Sequence, residues 1–144
     1  MGRTLDRARS GPLHLRRPEF AEMVLDAIRV RETEGEYVLH NFVIMPNHVH
    51  LLVTPEIDLS EITHSLKRYT GLEGNRLLRV CGQAFWQDES YDRWVRDAAE
   101  FERIARYIEN NPVVAGLCAS PEDFPWSSGR RVGNLHHESP DHKF

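Results

Sequence analysis

His48-Val49-His50 is the sharpest local feature of the sequence. In a strand, side chains two apart leave the same face. Both imidazoles would then share one side of a sheet, with Val49 and Leu51 on the other. Two neutral imidazoles so placed can hold one divalent ion. They can equally be strand histidines satisfied by hydrogen bonds, and the spacing alone does not separate the two readings.

Tyr107 and Asn111 are four residues apart in a helical pattern and so lie on one face. At about 100° per residue, Tyr107 sits beside the stripe Phe101, Ile104, Ala105 and Ile108. From that edge a phenol can reach a cleft. The alternative is a boundary tyrosine, with its ring in the core and its hydroxyl in water. Asn111 alone reads as a helix C-terminal residue.

Basic residues are spread over the helices and loops: Arg16-Arg17, Lys67-Arg68, Arg76, Arg79, Arg93, Arg96, Arg103 and Arg106, against 22 acidic residues. If several converge, they make a phosphate-binding groove, and Phe85, Trp86 and Tyr91 can add stacking surface. Otherwise they form a solvated mixed-charge surface, with the aromatics in the core. Two other chemistries lack their motifs. A strand of three alternating histidines, as in histidine-triad hydrolases, fails at Leu52, and no helical His-Glu-x-x-His is present.

The elements that must position these groups are legible. Pro18 suits a first helical turn, and Phe20, Met23, Val24, Ala27 and Ile28 give one buried face ending at Gly35. Residues 37–44 and 48–54 read as two strands joined by Met45-Pro46-Asn47, and the short connection makes them antiparallel. A second helix runs from about Ser60, a candidate N-cap, to Arg79. Its apolar face is Ile62, Leu66, Tyr69, Leu77 and Leu78, and Gly71 and Gly74 predict a kink or break. Ser90 to Val95 reads as a short strand after a Gly82–Glu89 loop. The third helix has Asp97 as cap and Glu100 as its reciprocal partner, and Pro112 is expected to stop it at Asn111. Arg3 to Asp6 is a weak strand. The order matches a split β-α-β plan with an extra helix. The expected fold is α+β, a ferredoxin-like antiparallel sheet with helices packed on one face.

The chain has 144 residues, 40% hydrophobic and 28% charged, with a mean hydropathy of -0.52. That fits one globular domain and argues against general disorder. No apolar run approaches a membrane span, and no signal segment opens the chain. Cys81 and Cys118 offer neither a disulfide framework nor a zinc pair, which fits a reduced, cytoplasmic location. A net charge of -4 excludes a protein that coats nucleic acid by bulk charge, so DNA contacts must be local.

The runs NFVIMPNHVHLLV, SLKRYTGLEGNRLL, FWQDESYDRWVRD, FERIARYIENNPVVAGL and DFPWSS, in that order, resemble the HUH-class single-tyrosine transposases, specifically the REP-associated tyrosine transposase group of the IS200-like family. The resemblance spans roughly residues 18–128. It implies a ferredoxin-like domain over 1–128, with an irregular tail over 129–144. His48 and His50 match the metal-binding pair, Tyr107 the nucleophile, and Asn111 the position of a third ligand. Arg17, Lys67, Arg68, Arg76, Trp86, Arg93 and Arg103 are the candidate DNA contacts. The implied activity is a metal-dependent endonuclease and strand transferase, using Mg²⁺ or Mn²⁺. It would nick and rejoin single-stranded, hairpin-bearing DNA through a 5′-phosphotyrosine intermediate. Relatives act as one subunit or as a homodimer sharing active sites.

The chemistry agrees with that resemblance. A phenol with a pKa near 10 is a weak nucleophile at neutral pH. A divalent ion polarises the phosphate and stabilises the leaving oxygen, which leaves positioning to the protein. His40, His64 and Glu109 are the candidates for a general base. Two rival readings are a catalytically inactive hairpin-DNA-binding protein of the same fold and a small metal-dependent phosphohydrolase unrelated to DNA.

Overall fold

The computed structural model describes residues 3–7, 14–78 and 90–133, with backbone alone for 3–7, 14, 90–94 and 131–133. Trp86, Phe85, Arg79, Cys81 and the Gly82–Glu89 loop lie outside the described residues.

Four strands form one antiparallel sheet: β1 (Arg3–Arg7), β2 (Tyr37–Met45), β3 (His48–Pro55) and β4 (Ser90–Trp94). Their order is β2-β3-β1-β4. The weak strand of the sequence is therefore an inner one, paired along its length with both β3 and β4. Neighbours on both sides supply its backbone hydrogen bonds, so pairing outweighs its poor propensity.

Helix α1 (Pro18–Thr33) and helix α2 (Leu59–Leu78) connect the strands, and α3 (Ala98–Val114) follows the sheet. Side chains alternate across the pleat. Val49, Leu51 and Val53 of β3, with Phe42 and Ile44 of β2, pack against Phe20, Val24 and Ile28 of α1 and Ile62 and Leu66 of α2. The other face carries Val43, Met45 and Leu52, which pack against Ile108, Phe101, Ile104 and Ala105 of α3. The α+β class and antiparallel sheet are as expected, and α1 and α2 share one face. Helix α3 departs from the one-face arrangement by crossing the opposite face, where a second set of apolar strand residues needs cover.

A bulge in β2 sets which residues meet α3. Leu39 pairs with Val53 and Asn41 with Leu52, so His40 is the extra residue. A bulge re-aims the side chains beyond it. It turns Asn41, Val43 and Met45 toward α3 and leaves Phe42 and Ile44 facing α1. His40 Nε2 lies 2.8 Å from Thr54 Oγ1, and its ring stands edge-on to Phe101 of α3 at 5.0 Å.

Several helix boundaries differ from the sequence reading. Helix α2 begins at Leu59, and the Asp58 carbonyl receives the amides of Glu61 and Ile62. Ser60 is thus inside the helix rather than its cap. The helix is continuous through Gly71 and Gly74. Burial of Ile62, Leu66, Thr70 and Gly74 against the molecule offsets the roughly 1 kcal/mol cost of each glycine. Tyr69 and Leu77 are exposed rather than buried.

Pro112 lies within α3 instead of ending it. Its missing N–H falls near the helix end, where one lost bond is cheap. The helix closes beyond it, with the Gly116 amide on the Val113 carbonyl and the Leu117 amide on the Pro112 carbonyl. That closure needs a left-handed residue, and Gly116 supplies it at φ 79°. The tail is not irregular from residue 129 onward as expected, and the segment before it is tied to the sheet. Ile44 donates to the Trp126 carbonyl at 2.8 Å, Ser127 bridges to Val43, and helix α4 spans Ser128–Gly133. Residues 134–144 lie outside the described residues.

Candidate active site

His48 and His50 open β3 immediately after the Pro46–Asn47 turn. Each is 7% exposed. His48 pairs with Met45 and His50 with Val43, which places both imidazoles on the face that α3 covers. The alternation expected of the His-Val-His run is thus realised, with Val49 in the opposite core. His48 Nδ1 lies 3.1 Å from Asn47 Oδ1, a contact that restrains the first ring.

Helix α3 carries the phenol. Asp97 caps it by accepting the Glu100 amide at 2.9 Å. The Glu100 carboxylate reaches back to the Arg96 amide at 2.7 Å, one residue earlier than a capping box requires. Ile108 is fully buried in the sheet-facing cluster, while Tyr107 beside it is 49% exposed. The Tyr107 ring meets His50 edge-to-face, with centroids 5.8 Å apart and planes at 70°. The tyrosine and the second histidine are therefore neighbours on the sheet face that α3 covers, with solvent access on the tyrosine side. Asn111, one turn further along α3, is partly buried.

Among the described residues no three or more His, Cys, Asp or Glu side chains gather as a metal cluster. A cation held here would rest on two imidazoles, with Asn111 as the candidate oxygen donor. Two imidazole nitrogens and an amide oxygen would form a borderline donor set that suits Mn²⁺ and, with the open positions filled by water, accommodates Mg²⁺.

Among the described residues, the basic side chains of α2 and of α3 lie on opposite sides of the sheet and do not form one groove. Lys67, Arg68 and Arg76 belong to α2, on the opposite side of the sheet, and Arg76 pairs with Glu73 at 3.3 Å. Arg17 stands at the start of α1, bound to Glu19 at 2.7 Å and lying 4.7 Å from the Phe20 ring centroid. Its neighbour Leu15 donates to the Pro46 carbonyl at 3.0 Å, which ties this segment to the β2–β3 turn beside His48. Arg103 is exposed and lies one turn before Tyr107 on α3. Arg93 lies in β4, where only the backbone is described.

The candidates for a general base are also sorted. His64 is exposed on α2, across the sheet from Tyr107. Glu109 Oε2 receives Asn41 Nδ2 at 2.6 Å and Ser128 Oγ at 2.6 Å. Ser128 Oγ also accepts the Phe42 amide at 3.0 Å. Sequence reasoning misses this cluster of Asn41, Glu109 and Ser128, because it depends on the β2 bulge and on a contact 86 residues apart in the chain. The Trp-Ser-Ser run was its only local signal.

Among the described residues no helix is long and apolar enough to cross a membrane. Residues 14–111 match the sequence model of the family described as "Transposase IS200 like". No curated protein matches the chain. Among solved structures, the chain is similar to a REP-associated tyrosine transposase bound to a REP hairpin, with a TM-score of 0.73 and 20% identity over 90% of this chain and 76% of that one. It is also similar to a protein described as a transposase from Deinococcus radiodurans R1, with a TM-score of 0.53 and 22% identity over 76% of this chain and 89% of that one. At these identities the structural likeness is one of fold. The family match covers more than half of the sequence, and the chain belongs to the IS200-like transposase family.

Proposed function

We propose that the chain is a metal-dependent DNA strand transferase that nicks and rejoins single-stranded, hairpin-bearing DNA with Tyr107 as its nucleophile. The observation that carries this reading is the contact between the Tyr107 and His50 rings at 5.8 Å. A half-exposed tyrosine against a buried histidine of the His48/His50 pair is an arrangement suited to phosphoryl transfer to a side chain. The solved relative whose description names a bound REP hairpin supports a hairpin as the DNA partner.

His48 and His50, with Asn111, are the residues that would hold Mg²⁺ or Mn²⁺. Such an ion, when bound, neutralises charge on the phosphate under attack and on the departing oxygen. The chain's own residues do the rest. The Tyr107 oxygen bonds to phosphorus as the bond from phosphorus to the 3′-oxygen breaks. The phenol proton ends on that oxygen, leaving a 5′-phosphotyrosine and a free 3′-hydroxyl. Attack by a 3′-hydroxyl in the reverse sense rejoins a strand and restores the phenol. Arg103, on the same helix and exposed to solvent, suits a backbone phosphate contact that positions the strand without reading its sequence.

The test uses single-stranded oligonucleotides that fold into palindromic hairpins, drawn from the DNA on either side of the gene and incubated with Mn²⁺. The expected product is a protein–DNA adduct that survives denaturing electrophoresis and is missing with Tyr107→Phe. Equal adduct from that variant removes Tyr107 from the reaction. Hairpin binding by the native chain with no adduct in Mn²⁺ identifies a DNA-binding protein without catalysis.

A further inference from the structure

Tyr107 and Glu109 flank Ile108 on α3. At about 100° per residue, they project to opposite sides of the buried stripe. The Tyr107 side meets His50. The Glu109 side is tied by one carboxylate oxygen to two other elements: Asn41 of β2 at 2.6 Å and Ser128 at the start of α4 at 2.6 Å. The same serine hydroxyl accepts the Phe42 amide of β2 at 3.0 Å. Sheet, helix and C-terminal segment thus meet on a single group.

From this geometry we infer that Glu109, Asn41 and Ser128 form a latch that fixes the rotation of α3 about its own axis, and so aims Tyr107 at His50. The apolar stripe alone resists rotation weakly, because hydrophobic contact is non-directional. Two charge-assisted hydrogen bonds are directional and stronger than neutral ones. The magnitude matters. Side chains extend the helix to a radius of about 5–6 Å, so a 20° roll moves the tip of a side chain by roughly 2 Å. A displacement of about 1 Å in a reacting group can cost on the order of 100-fold in rate. Glu109 is therefore a positioning residue, acting through Tyr107 and not on the DNA. The latch also gives the Trp-Ser-Ser segment a role: it locks the nucleophile's helix from outside the sheet.

The role in catalysis rests on the proposed nucleophile, whereas the latch geometry does not, and the test separates them. Nuclear Overhauser contacts between the Tyr107 and His50 ring protons report the aim directly, without DNA or metal. In Glu109→Ala these contacts should vanish while cooperative unfolding persists. Glu109→Gln keeps an acceptor oxygen and should restore them. In the adduct assay, Glu109→Ala should slow formation on the order of 100-fold at saturating oligonucleotide. Its hairpin Kd should change less than about twofold, and Gln should recover most of the rate. Ser128→Ala, which removes one of the two bonds, gives an intermediate loss and serves if Glu109→Ala does not fold. Ring contacts undiminished in Glu109→Ala, or undiminished in Ser128→Ala where that variant stands in, would overturn the latch. So would equal loss of rate, affinity and folding cooperativity. No adduct from the native protein would instead overturn the nucleophile assignment, with the ring contacts still deciding the latch.

Discussion

The Tyr107 ring stands edge-on to His50, 5.8 Å between centroids, although the two residues are carried by different elements and one is half-exposed while the other is buried. The contact exists because α3 crosses the sheet face that α1 and α2 leave open. Leu52, Val43 and Met45 on that face give Ile108 its apolar seat, and Tyr107 is held next to it at the margin. Packing and chemistry are thus adjacent but separable, and a change at the hydroxyl alone should not disturb the fold.

Tyr107→Phe tests that separation. It keeps the ring and its contact with His50 and removes the hydroxyl of a half-exposed residue. Surface changes of this kind stay within about 0.5 kcal/mol, so Tm should move by no more than about 2 °C. Adduct formation should be lost altogether. A large fall in Tm would mean that the hydroxyl carries structural weight, and that the activity loss does not isolate a nucleophile.

The histidine pair predicts a metal effect that needs no DNA. A ligand that binds only the folded state stabilises it by about 2.7 kcal/mol at a hundredfold excess over its Kd. For a chain of this size that is a Tm rise of roughly 5–10 °C. Titrating Mn²⁺ into the native protein should give such a rise, and His48→Ala or His50→Ala should abolish most of it. Asn111→Ala should reduce it less, as expected for one neutral oxygen donor. An undiminished rise in both histidine variants would locate the cation elsewhere.

Much of this site was legible in the sequence, for stated reasons. A two-residue spacing in a strand fixes a shared face whatever the tertiary context, so His48 and His50 could be paired. A clean 3.6-residue stripe located Tyr107 at its edge. The bulge at His40 was not legible, because no residue there demands it, and with it went the aim of Asn41 and the Glu109 cluster. The inner place of β1 was hidden for a related reason: its stability comes from two neighbours remote in sequence and not from its own residues. The sequence left open whether the α2 basic residues share a groove with Arg103, because spacing along a chain does not tell which side of a sheet a helix will cover.

The ends of α3 predict stability effects that should leave the site intact. Asp97 accepts the Glu100 amide at 2.9 Å, and removing such a cap costs about 1 kcal/mol. Asp97→Ala should therefore lower Tm by roughly 2–4 °C. At the other end, Gly116 adopts φ 79° with nothing within 4 Å of an added Cβ. Gly116→Ala should cost about 1–2 kcal/mol through backbone strain alone. Differential scanning calorimetry on both variants checks the values. No measurable change in Gly116→Ala would show that the helix end refolds into another closure.

Tyr37 makes stability depend on alkaline pH. Its ring is buried, and its hydroxyl donates to the Ile28 carbonyl at 2.5 Å. Burial, reinforced by Glu32 and Glu36, pushes the phenol well above the ordinary tyrosine range. The unfolded chain ionises near the ordinary value of about 10, while the folded chain keeps its proton. The stabilising contribution is therefore complete below about pH 10 and declines as pH rises toward the folded-state value. Tyr37→Phe removes this titration along with the hydrogen bond, which is worth about 1 kcal/mol at neutral pH. Urea unfolding at about pH 7, 9 and 11 should show native protein and variant separated by that amount at the two lower values. The gap should narrow or reverse at the highest, because only the native protein loses the Tyr37 contribution there. A gap that stays constant through pH 11 would mean that Tyr37 ionises alike in the folded and unfolded chain, against its burial.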